Sequence, residues 1–283
     1  MKQLIHNVLD METEFHAGSP PAFPYPWAPA WGEDRYGLWM ALDFKSVRTV
    51  FRWILPGMFW MGSLENENGR FDWEDRHRVT ISHGFWLGET AVTQALWRAV
   101  RGDNPGYFKG DNLPVEQVSW DDVQAFIETL NRFHPALKTR LPWEAEWEYA
   151  CRAGSETAFH FGDELHLEKV NYRGVWDFND SNGWGKGARR STAEVKSYPC
   201  NAWGLYEMHG NVWEWCADAW QEHLGKQPQV DPWRQDKLAG GAGRVIRGGS
   251  WFNFGRLVRS AHRSGFSPDG RNDLLGFRLA LGH

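Results

Sequence analysis

The chain has 283 residues and a formal net charge of −5, with 31 Lys and Arg against 36 Asp and Glu. No apolar run approaches the roughly 20 residues that span a bilayer, and the basic residues form no long block, which argues against a membrane span and against nucleic acid as a general partner. With 19 Trp and 30 Gly, the core is expected to be built from large rings packed against tight turns, each indole N–H finding a backbone partner, in place of long aliphatic helices.

The N-terminal stretch MKQLIHNVLDMETEF is broken by His, Asn, Asp and Glu where a signal peptide needs an apolar run, so a cytoplasmic location is the expectation. Residues 19–29, SPPAFPYPWAP, carry five prolines and must be extended or turn-like. They set off an N-terminal extension, residues 1–47, expected to pack on or beside a single domain, residues 48–283; no linker or repeat divides the rest. Three helices follow. The first begins after Thr93 as N-cap, has Leu96, Trp97 and Val100 on one face, and stops at Gly102. The second, SWDDVQAFIETLNRF, is capped by Ser119 with Asp122 three residues on, and Val123, Phe126, Ile127 and Leu130 form its apolar stripe. The third, LPWEAEWEYACRAG, has Pro142 in its first turn, acidic residues near the positive end of its dipole, and Gly154 as its stop. From about residue 155 onward the pattern is one of short strands, turns and loops. Cys151, Cys200 and Cys216 are too few and too scattered for a disulfide framework or a Cys-x-x-Cys metal site, and read as reduced core thiols.

Six segments in order, FRWILPGMFWMGS (51–63), TQALWRAVRGDNPGYF (93–108), LPVEQVSWDDVQAF (113–126), RLPWEAEWEYACRAG (140–154), NAWGLYEMHGNVWEWCAD (201–218) and RVIRGGSW with GFRLA (244–280), resemble the signature segments of the formylglycine-generating-enzyme superfamily. The resemblance runs from about 48 to 281. It implies an α+β chain with the C-type lectin fold of that superfamily, rich in loops, with a few short helices and small antiparallel sheets. Fold alone does not give activity. The sulfatase-activating members hold copper through a cysteine pair shortly after Gly-Gly-Ser-Tyr/Trp; here that interval is FNFGRLV, without cysteine. A second branch binds iron through three histidines with a His-x-x-x-His-x-Glu motif in an added domain, and this chain, with 11 His, has no such motif. Neither copper nor iron is therefore expected.

A third group of relatives are the variable proteins of diversity-generating retroelements, in which a reverse transcriptase rewrites a C-terminal segment at template adenines. The rewritten segment resembles Arg247-Gly-Gly-Ser-Trp251, Arg259-Ser-Ala, Arg263, Pro268-Asp, Arg271 and Gly276-Phe-Arg-Leu279 as they stand here. The resemblance puts the variable region at 247–279 and the rewritten positions at Phe252, Asn253, Phe254, Arg256, Leu257, His262, Ser264, Gly265, Phe266, Ser267, Gly270, Asn272, Asp273 and Leu274. If each arose from the codon AAC by changes at its adenines, Lys, Met, Trp, Gln and Glu are unreachable, and none of the fourteen is one of these. At this composition such an absence has a chance of about 3%. The arginines between the gaps, Arg259, Arg263, Arg271 and Arg278, offer fixed donors to loop carbonyls and carboxylates, while Phe252, Phe254, Phe266 and His262 serve as rigid contact residues beside adaptable Ser, Gly and Asn.

The reading is a non-enzymatic ligand-binding protein displaying a diversified surface. The alternatives are a metal-dependent oxidase or oxygenase of the same superfamily and an interaction domain with a fixed partner. The ligand is unknown, and the mix of Phe, Leu, Arg and Asp leans toward a protein. Family resemblance also makes calcium a candidate cofactor, at Asn171, Tyr172, Asn182 and Trp184, and at Asn211 and Glu214 within HGNVWE, where hard oxygen ligands suit it. A buried or hydrogen-bonding role for Asn211 and Glu214 is the competing account.

Overall fold

The computed structural model describes residues 18–177, 179–180, 183–234 and 243–282. Its elements in chain order are β1 (Ala30–Asp34), β2 (Gly37–Phe44), β3 (Val47–Ile54), β4 (Gly57–Met61), β5 (His77–Ile81), β6 (Phe85–Gly88), α1 (Gln94–Arg101) and α2 (Trp120–Phe133). Then come β7 (Thr139–Arg140), α3 (Glu144–Arg152), β8 (Trp213–Ala219), β9 (Gln229–Val230), β10 (Arg244–Arg247), β11 (Arg263–Phe266), β12 (Leu275–Gly276) and β13 (Ala280–Leu281). The α+β, loop-rich class expected from the sequence is what the chain adopts. None of the described helices is long and apolar enough to cross a membrane.

The helix ends follow local chemistry. Thr93 accepts the Leu96 N–H, and Gly102, in the left-handed region, closes α1 on Arg98. Ser119 and Asp122 complete a capping box on α2. α3 departs from expectation by one residue at each end: Trp143 is its N-cap, so Pro142 precedes the helix, and Ala153 takes the left-handed conformation ahead of Gly154. All nine residues of α3 are buried. A helix buried all round that carries Glu144, Glu146 and Glu148 must find a donor for every carboxylate, and this requirement shapes the site described below.

A six-stranded sheet in the order β1-β2-β3-β6-β13-β7 stacks against α1 and α2. Between them Trp97 lies parallel to Phe126 at 5.2 Å, and Phe277 meets both rings edge-on. Because β13 inserts between β6 and β7, the end of the chain closes the sheet that its beginning opened. A four-stranded sheet, β11-β10-β8-β12, and a three-stranded one, β4-β5-β9, flank α3 on its other sides. Pairing is antiparallel except at β12–β8 and β5–β9.

The expected division at 47/48 falls at the start of β3, just past the β2–β3 turn, where Lys45 and Ser46 have positive φ. Residues 30–44 are thus strands of the main sheet, and the Pro-rich stretch before them is strapped down by Phe23 stacked on Trp86 at 5.8 Å and by the Trp53 indole N–H donating to the Gly18 carbonyl. Indoles reach backbone carbonyls at Trp215, Trp120 and Trp251, as anticipated. Trp147 and Trp97 instead donate to carboxylates, Glu214 and Asp103, and the buried indole N–H groups of Trp27 and Trp73 have no hydrogen-bond partner, so the expectation of a backbone partner for each indole holds only in part.

Candidate binding surface

The segment 247–279 runs from β10 through a short 3₁₀ turn at Gly255–Leu257, the edge strand β11 and a turn into β12. Its arginines are the reason it holds a single path. Arg263 donates to both Glu144 oxygens at 2.6 and 2.9 Å and to the carbonyls of Gln221 and Glu222. Arg259 grips both Glu74 oxygens, at 2.6 and 3.0 Å, and also reaches Glu67. Arg278 donates to both Glu214 oxygens and to the carbonyls of Gly88 and Tyr206. Arg247 pairs with Glu148 and donates to the carbonyls of Ser260, Ala261 and His262. These four guanidiniums are buried, as are Glu74, Glu144, Glu148 and Glu214. Bidentate pairs of this kind are charge-assisted and directional, so each fixes a loop as well as neutralising a buried charge. Burial alone would raise the Glu74 carboxyl; the His262 and Arg259 hydrogen bonds outweigh it and hold it at about 2. Arg271, by contrast, is exposed and pairs with Asp122 at 2.7 Å.

Between these anchors most of the fourteen candidate positions reach solvent at least in part. Phe252 is 42% exposed and meets Trp184 and Trp251 edge-on. Phe254 lies under the Arg173 guanidinium, 4.6 Å from its ring centre, and the same cation is within 5.5 Å of Phe252 and Trp184. Arg256 pairs with Asp177 at 2.6 Å, and Leu257 is half-buried beside it. Ser264, Gly265 and Phe266 form the edge strand, and Ser267 is exposed in the turn beyond. Asn253, Asn272 and Leu274 are half-buried and lend backbone groups to neighbouring loops: Asn253 accepts from Arg173, Asn272 from Gln117 and Leu274 from Trp213. Trp251 joins the two halves by donating to the Asp273 carbonyl at 3.1 Å.

Three of the fourteen differ from expectation. His262 is a core residue: it is 4% exposed, stacked near Phe71 at 4.9 Å and Trp213 at 5.6 Å, and burial lowers its pKa to about 4. It follows Ala261 into the interior on the way to the buried Arg263, and that path leaves it no access to a ligand. Gly265 lies against the Trp220 ring and Gly270 against the Phe266 ring, so a Cβ at either position requires its neighbour to move. Residues that sequence reasoning did not select also belong to the surface. Arg173 organises the Phe252–Phe254 patch, and Tyr107, 67% exposed, leads into Phe108, which packs edge-on against Trp251. A lone Arg or Tyr in a loop carries no periodic signal that would have identified it.

The side chains of the calcium candidates are engaged with other groups of the chain. Glu214 has its charge balanced by Arg278 and also accepts from Trp147. The Asn211 amide closes a backbone loop, its oxygen accepting from Ala193 and its nitrogen donating back to the Ala193 carbonyl, while Asn171 donates to the same oxygen. Tyr172 is buried, Trp184 stacks on Trp251 at 5.8 Å, and Asn182 lies outside the described residues. Among the described residues of this set, the Asn171 side-chain oxygen is buried without a hydrogen-bond partner. No cluster of three or more His, Cys, Asp or Glu suited to a metal occurs among the described residues.

Cys151 and Cys216 are buried, and burial pushes Cys151 up to about 12 and Cys216 well above its usual value; Cys200 is half-buried.

Comparison with known proteins places this architecture. Residues 45–282 match the model of the sulfatase-modifying factor enzyme 1-like domain. The mouse formylglycine-generating enzyme is 34% identical over 213 residues, covering 73% of this chain and 54% of its own length. The Streptomyces coelicolor formylglycine-generating enzyme is 37% identical, covering 69% and 60%. The mouse inactive C-alpha-formylglycine-generating enzyme 2 is 32% identical, covering 67% and 56%. The chain thus spans little more than half the length of these curated relatives. Among solved structures, Treponema denticola variable protein 1 superposes with a TM-score of 0.72 at 27% identity, covering 86% of this chain and 98% of that one. PvdO from Pseudomonas aeruginosa superposes at 0.67 with 26% identity, covering 90% and 98%. With the domain model matching nearly the whole described chain, and a variable protein sharing its architecture, the chain belongs to the formylglycine-generating-enzyme superfamily with its C-type lectin-like fold.

Proposed function

We propose that this chain is a non-enzymatic ligand-binding protein whose segment 252–274 is a diversified surface, the variable protein of a diversity-generating retroelement. The observation that carries the reading is the alternation within 247–279: buried arginines held by buried glutamates, and between them side chains that mostly reach solvent, with Phe266 and Leu274 also packing against the core. Such a segment accepts changes at Phe252, Phe254, Ser264 or Ser267 with its backbone path intact. The superposition on a variable protein of Treponema denticola supports the same reading. Rigid aromatic rings beside Arg173 suit a protein ligand.

Similarity to formylglycine-generating enzymes favours an oxidase as the second reading. Against it stands the interval 252–258, FNFGRLV, which has no thiolate to hold copper. Sequencing the DNA around the gene tests the proposal. A near-copy of the segment encoding 247–279, differing only at its adenines and beside a reverse transcriptase gene, is expected. Its absence, together with stoichiometric copper or iron in the purified protein, would replace the proposal by the oxidase reading.

A further inference from the structure

The loop joining β4 to β5, residues 62–76, has two sides. Its inward groups hold the variable segment in place: Glu67 and Glu74 pair with Arg259, and Phe71 packs on His262 and under Arg256. Its outward groups line a cleft of about 910 Å³ together with Lys226, within the size range of small-molecule sites.

The chemistry of the cleft narrows what it can take. Arg70, Arg76 and Lys226 supply three positive groups, and Glu65, Asp72 and Asp75 three negative ones. A strongly anionic ligand meets the three carboxylates and a strongly cationic one meets the three bases, so the balance selects a ligand without net charge that can donate and accept many hydrogen bonds. At the rim the Trp60 ring is 40% exposed, with one face covered by the Arg76 guanidinium at 4.7 Å. At the wall the Ser63 hydroxyl is 99% buried by residue and has no hydrogen-bond partner, and the Arg70 Nε is likewise buried without one. Unpartnered buried donors are costly, and a molecule bound in the cleft beside Ser63 and Arg70 is one way to offset that cost. An aromatic platform, balanced donors and acceptors, and unmatched donors in the wall together fit a polyhydroxylated ring.

We infer that this cleft is a second binding site, of fixed specificity, for a neutral oligosaccharide. None of the fourteen candidate variable positions lines it, so it keeps one specificity while residues 252–274 change, and it stands or falls independently of the diversification proposal.

The test is saturation-transfer-difference NMR on the full chain with maltotriose, cellotriose and tri-N-acetylchitotriose, and with anionic trigalacturonate and the cationic trimer of glucosamine as charged controls. At least one neutral trisaccharide is expected to bind with Kd on the order of 1 mM. Trp60→Ala and Ser63→Ala should each weaken that binding by about tenfold, whereas Phe252→Ala leaves it unchanged. Since Ser63→Ala removes an unmatched hydroxyl, its melting temperature should not fall, which separates lost binding from lost folding. The inference is overturned if no neutral trisaccharide binds, if a charged control binds more tightly, or if binding survives both cleft substitutions or is lost with Phe252→Ala.

Discussion

Arg256 and Arg259 are three residues apart and both form ion pairs, but they do different work. Arg259 is buried with two carboxylates from a loop more than 180 residues earlier in the chain, whereas Arg256 pairs with Asp177 where both side chains keep a fifth or more of their surface in water. A buried pair fixes the backbone because breaking it strands a charge in a dry environment; an exposed one leaves each partner water to fall back on. The segment 247–279 is built from both kinds, and that difference separates positions that hold the fold from positions that can be rewritten.

The sharpest way to break this comparison is Arg263→Ala. It leaves Glu144 buried with Arg247 at 3.9 Å and Arg234 as remaining nearby cations, and should cost about 3–5 kcal/mol in chemical denaturation. His262→Ala should cost about 2 kcal/mol, since it removes a ring packed against Phe71 and Trp213 and leaves a cavity; a cost near zero would return His262 to the variable surface. Its pH dependence gives a second check. The folded-state pKa of about 4 lies below the unfolded value, so the unfolded chain binds more protons between them, and stability should fall as pH drops from about 6.5 toward 4. Burial also lowers His160, to about 4, and His209, so His262→Phe should reduce the slope of the denaturation midpoint across that window without abolishing it. Arg256→Ala should cost less than about 1 kcal/mol. Phe252→Ala, which loses its edge contacts with Trp184 and Trp251, should cost about 1 kcal/mol and should weaken binding to a ligand selected on this surface, while Ser267→Lys should stay within about 0.5 kcal/mol of the parent.

The helices were legible because Thr93, Ser119 and Gly102 act locally, each through a bond to a residue three or four positions away. The sheet order was not, since β6 is four residues buried on both faces and β13 only two residues long, too short to show alternation. In the site, the arginines were readable as anchors, but their partners were not. Glu144, Glu146 and Glu148 suggested a favourable helix start, and only the burial of α3 on all sides shows that they must point into the interior. Glu214 reads from sequence as a candidate metal ligand because an acid in a loop with Asn fits a cation equally well, whether the cation is calcium or a guanidinium. Resemblance places His262 on the surface, and no single-residue property distinguishes an inward from an outward histidine.

The carboxylates that receive the segment, Glu67, Glu74, Glu144, Glu148 and Glu214, all precede it in the chain. During synthesis the acidic frame therefore emerges first, and the arginines dock onto it afterwards, as long-range contacts that form late. Changes confined to the outward positions act after the frame is in place, so sequence variants at 252 and 267 should share one folding rate and differ only in what they bind.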